Sequence, residues 1–178
     1  MKPLINIAVI ALVAAAQAQE SPIRKPLITS DLGGRELAFL TKANEQGVLM
    51  NYLADLAKTK SESKPVQALG DLLASTQAEE NSRLIQLSSI KGLNFAVRTP
   101  LAIKKLAAKL DPLKGADFDK ACLAELVALS KEVVANYEAG AQSKDAEVKA
   151  FADEGLPLAQ QKLGVTNKVA AASAPPAK

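Results

Sequence analysis

Apolar residues recur at three- and four-residue steps in four long stretches of this chain, and each such stripe must be buried against another. In the first stretch, residues 30–58, the stripe is Phe39, Ala43, Gly47, Met50, Ala54 and Ala57. The second follows Ser63, an expected N-cap, with Pro65 in its first turn, and carries Leu69, Leu73, Glu80, Leu84 and Leu87 on one face. The third is expected to start at an Asp117 cap, to stripe Phe118, Cys122, Leu126, Leu129, Val133 and Tyr137, and to stop at Gly140. The fourth is expected to open at Ser143, with Asp145 and Glu147 favouring the helix dipole, and to carry Val148, Ala152, Leu156, Ala159 and Leu163. Pro157 lies inside it and is expected to kink it. Period-two alternation is almost missing, and Ala, Leu, Lys, Glu and Gln dominate, so the fold class expected is all-α, a four-helix bundle.

The first and second stretches are joined by a short turn, as are the third and fourth, which predicts two antiparallel hairpins. Between Gly92 and Gly115 the connection is long and holds a shorter helix, residues 100–110. Up-down-up-down and crossover topologies are both compatible with it.

At the N-terminus, Lys2 precedes an apolar run from Leu4 to Ala16 and the small-x-small sequence Ala16-Gln17-Ala18, the pattern of a secretory signal peptide. The run is shorter than the ~20 residues that span a bilayer. Residues 1–18 are therefore expected to be removed between Ala18 and Gln19, leaving a periplasmic or secreted protein. Residues 19–29 read as an extended lead, 30–168 as the bundle domain and 169–178 as a disordered Ala/Pro tail.

Cleavage would lower the formal net charge from +3 to +2. That is too weak a field to argue for nucleic acid, and four Phe, two Tyr and no Trp offer no base-stacking platform. Cys122 is the only cysteine, so there is no internal disulfide; its place on an apolar stripe makes it a buried packing residue, not a redox thiol.

The chain has no histidine. Ser/His/Asp and Cys/His catalysis are thereby excluded, as is the Glu-x-x-His step of di-iron bundles. Gly33-Gly34 lacks the spacing of a phosphate-binding loop. No catalytic residue, cofactor or metal ligand is assigned. The polar residues on or beside the stripes are Thr76, Gln77, Glu80 and Ser130, which suit either a hydrogen-bonded core cluster or a small polar cavity. In the short helix, Leu101, Ile103, Leu106, Ala107 and Leu110 oppose Lys104, Lys105 and Lys109, a pattern that suits a cap on the bundle end or a helix on an anionic membrane surface.

Several segments resemble the bacterial exported ferritin-like family filed as domain of unknown function 4142. They are Phe39-Leu40-Thr41-Lys42-Ala43 with Gln46-Gly47, Asn81-Ser82-Arg83-Leu84, the run from Leu110 to Ala121, and Leu156-Pro157. The resemblance implies a ferritin-like bundle and an exported location. The family commonly has Glu after the glycine of the first helix, Asp-His in the second, and histidines in the third and fourth. Here those positions hold Met50, Thr76-Gln77, Ser130 and Lys162. The expected function is thus an exported non-enzymatic bundle with a binding, structural or envelope-stress role, its partner unknown. The alternatives are an enzyme or metal protein with a site around Glu80, Gln77 and Lys162, and a peripheral membrane protein that uses residues 100–110.

Overall fold

The computed structural model describes residues 32–95 and 101–173. Five helices follow in order: α1 (Gly34–Lys60), α2 (Lys64–Ile90), α3 (Leu101–Leu110), α4 (Gly115–Gly140) and α5 (Ala146–Ala172). The expected signal peptide and extended lead lie outside the described residues. Every stripe residue expected on α1, α2 and α4 is buried.

Helix ends depart from expectation where a neighbour outcompetes the local cap. Ser63 is the N-cap of α2, but its side chain makes no capping bond; its backbone N–H instead donates to Ser61 Oγ at 3.0 Å. The N-cap of α4 is Lys114, not Asp117. Gly115 takes φ +52°, a left-handed conformation that favours glycine, at the turn where the chain enters the helix, and Asp117 falls in the first turn. In α5 the cap is Asp145, not Ser143: its carboxylate accepts from the backbone N–H groups of Glu147 and Val148 at 3.1 and 3.0 Å. Ser143 Oγ instead accepts from Asp145 N–H and donates to Glu36 at the start of α1.

α5 is one helix through Pro157. Both Pro157 and Asp153, whose carbonyl loses its partner to the ring, are exposed, so water can satisfy that carbonyl. The helix also reaches Ala172, so residues 169–172 belong to α5 and not to the expected tail. Val169 and Ala170 pack against the core, and alanine is the best helix former.

Side-chain contacts fix the topology. Along α1 and α4, Ser61 meets Asp119, Cys122 meets the Leu53 carbonyl, and Gln46 meets Asn136, so the two helices are antiparallel. Along α2 and α5, Lys91 meets Asp145, Arg83 meets Glu154, and Glu80 meets Lys162, again antiparallel. With α1–α2 and α4–α5 as hairpins, the order is up-down-down-up, and the α2–α4 connection must run the length of the bundle. One such crossover is the connectivity of ferritin-like bundles.

Close packing is set by small residues at particular crossings. A Cβ on Gly70 would lie 2.6 Å from the Ala54 carbonyl oxygen and 2.7 Å from Lys58 N, so α1 and α2 touch backbone to backbone there. At the end formed by the α4–α5 turn, Phe39, Tyr137 and Phe151 form a trio with centroids 5.6–6.1 Å apart. α3 lies against α1 and α4. Lys60 Nζ donates to the carbonyls of Leu110 and Asp111 at 2.8 and 2.7 Å and sits 5.0 Å above the Phe118 ring, tying the α3 C-terminus down.

Candidate functional site: a polar layer inside the bundle

The inward face of α5 runs Val148, Ala152, Gly155, Ala159, Lys162 and Thr166, and so it rotates away from the expected Leu156 and Leu163. Both leucines are only partly buried, and Lys162 takes the interior position at 5% exposure. The facing turn of α2 presents Gln77 and Glu80, 6% and 5% exposed. Lys162 Nζ lies 2.7 Å from Glu80 Oε2 and 3.3 Å from Gln77 Oε1. The Gln77 amide nitrogen then donates to Asn81 Oδ1 at 3.0 Å. Thr166 donates back to the Lys162 carbonyl at 2.8 Å.

α1 leaves room for this network through Gly47. A Cβ there would stand 2.7 Å from Asn81 Oδ1 and 3.1 Å from Gln77 Nε2. One turn on, Met50 is buried and contributes a thioether among apolar neighbours. On α4, Ser130 is 1% exposed, and its hydroxyl has no hydrogen-bond partner among the described residues. Glu80 Oε1 and Gln46 Nε2 are likewise buried without one. A second cluster links α1 and α4: the Asn136 amide nitrogen donates to Gln46 Oε1 at 3.2 Å and to the Phe39 carbonyl at 3.3 Å.

Of the residues singled out by sequence, Gln77, Glu80, Ser130, Met50 and Lys162 are all buried in the bundle. Thr76 is not part of the layer. It is half-buried and spends its hydroxyl on the Leu72 and Leu73 carbonyls of its own helix. Periodicity also missed Gln46 and Asn136, which are buried beside the stripe positions Ala43 and Val133 at three-residue steps. That spacing was the available signal for both.

Chemically, the layer holds a cation against a carboxylate in the buried interior of the bundle. Tyr137, with its phenol pushed upward first by burial and then by the Glu80 charge, stays neutral. The Cys122 thiol is pushed up to about 12 by burial first and by Asp119 and Glu125 second, so it carries no thiolate at neutral pH. Among the described residues no three His, Cys, Asp or Glu side chains come together as a metal-binding group, and no helix is long and apolar enough to cross a membrane.

These features define a crossover four-helix bundle whose buried charge is neutralised by one of its own lysines. The chain belongs to the family described as Domain of unknown function (DUF4142), whose model matches residues 24–169. No curated protein and no solved structure matches it.

Proposed function

We propose that this chain is an exported, non-enzymatic bundle of ferritin-like ancestry that acts by binding a ligand or partner in the cell envelope, its interior cation being Lys162 and not a metal. The buried contact of 2.7 Å between Lys162 Nζ and Glu80 Oε2 carries this reading. A divalent ion about 4 Å from that ammonium would meet a repulsion of roughly 8 kcal/mol at an effective dielectric constant of ~20. Gln77, Ser130 and Met50 supply an amide, a hydroxyl and a thioether, a poor ligand set for iron, manganese or zinc. Export rests on the leader pattern in residues 1–18.

α3 lies along the side of the bundle against α1 and α4 and not across its end as expected for a cap, and its contacts support a helix packed on the protein over one laid on a membrane. Leu110 is fully buried, Lys60 holds the helix end, and Lys109 pairs with Glu125 on α4.

The test is a thermal melt of the mature protein with Fe2+, Mn2+ or Zn2+, since a ion that binds the folded state raises the midpoint. The midpoint is expected to stay within about 1 °C of the metal-free value. A rise of several degrees that Glu80→Ala abolishes would overturn the proposal.

A further inference from the structure

A cleft of 480 Å³ opens between the start of α1 and the α4–α5 turn, remote from the Lys162–Glu80 pair in sequence and lined by none of its residues. Its size falls within the ~300–1,000 Å³ typical of small-molecule sites. Arg35, Ala38, Phe39 and Lys42 line it from one face of α1, so the wall reads cation, apolar, apolar, cation at helical spacing. Across from them stand Asn136, Gly140 and Val148.

The floor at Phe39 is held in place by contact with Gly140, where a Cβ would lie 2.6 Å from the ring. The walls are unequal in charge. Neither Arg35 nor Lys42 has an ion-pair partner among the described residues, and both are exposed. The one carboxylate of the lining, Glu36, is already engaged: it accepts from Ser143 Oγ at 3.0 Å and from Lys144 N–H at 3.4 Å. Its own backbone N–H, then Ser143, hold it below the usual carboxylate range, so it is charged at neutral pH and occupied.

We propose that this cleft binds a small amphipathic monoanion, its acid group between Arg35 and Lys42 and its apolar body against Phe39 and the α4 wall. The proposal deepens the binding reading above by giving it a site and a ligand class. An apolar body gains from the aromatic floor, and the unpaired cations select the sign of the head group.

Isothermal titration of the mature protein with decanoate tests this, with decyltrimethylammonium as the probe of opposite charge. One decanoate should bind per chain, and the cationic probe should bind at least tenfold more weakly. The double variant Arg35→Glu/Lys42→Glu should weaken decanoate at least tenfold, and Ala139→Leu, which fills the cleft from an exposed position, should block it. Both variants alter exposed residues, and unchanged melting midpoints would confirm that the bundle is intact. Absence of saturable decanoate binding, equal affinity for the two probes, or variants that bind like the parent would each overturn the proposal. Such a failure leaves the metal titration untouched, and a metal-dependent melt would overturn the proposed function without altering the decanoate result.

Discussion

Replacing Lys162 with methionine removes the buried cation while keeping most of the side-chain volume. At 2.7 Å the Lys162–Glu80 attraction is about 6 kcal/mol at an effective dielectric constant of ~20. Taking two ions out of water costs several kcal/mol each, so the intact pair contributes little net stability. The single substitution is different: it deletes the attraction and leaves Glu80, 5% exposed and already without a partner at Oε1, with only its desolvation cost. Lys162→Met should therefore lose about 3–5 kcal/mol. Lys162→Met combined with Glu80→Leu removes both charges and should recover most of that loss, ending within about 1 kcal/mol of the parent or above it. Urea denaturation followed by circular dichroism measures both, with the slope checked so that midpoints convert to free energies. A loss below about 1 kcal/mol for the single variant would place the ammonium in water. A double variant no better than the single would show that the layer holds the helices in register through more than charge.

Other perturbations probe the packing and the turn. Leu73 and Leu126 are fully buried, so either changed to Ala should cost ~2–5 kcal/mol by leaving a cavity; under about half a kcal/mol would contradict their placement. Gly155→Ala gains ~1 kcal/mol of helix propensity, yet its Cβ would lie 2.0 Å from the Tyr137 ring in the core, so the net effect in the same denaturation assay should be a loss of ~1–3 kcal/mol. At the turn before α5, Lys91 is raised first by its bond to Asp145 and then by Glu147. Partial burial pushes Asp145 up, but Lys91 and the N–H groups of Val148 and Glu147 outweigh it and hold the carboxyl below its ordinary value. The stability lost in Lys91→Met, ~1 kcal/mol, should thus be constant between about pH 5 and pH 10. It should shrink as pH falls through the lowered Asp145 value or rises through the raised Lys91 value; a difference that grew at either extreme would contradict the pairing. Cys122, fully buried, should react with thiol reagents only at the rate of unfolding.

The apolar stripes were legible in the sequence because burial of one helix face is a local pattern with a period near 3.6, and those on α1, α2 and α4 face inward residue for residue. On α5 the pattern is ambiguous, since Leu156 and Leu163 compete with Ala159 and small neighbours for the inward face. What decided between them was a residue 82 positions away: Glu80 on α2 offers a buried charge that Lys162 meets. The caps show the same division. Asp145 and Ser143 are equally good caps by type, and Glu36, far off in sequence, takes Ser143 and leaves the cap to Asp145. Sequence alone determined four amphipathic helices, an absence of imidazole chemistry and the polar residues available to the interior. Tertiary structure decided the crossover, the burial of Glu80 and its pairing with Lys162, because these depend on contacts between segments that no local periodicity encodes.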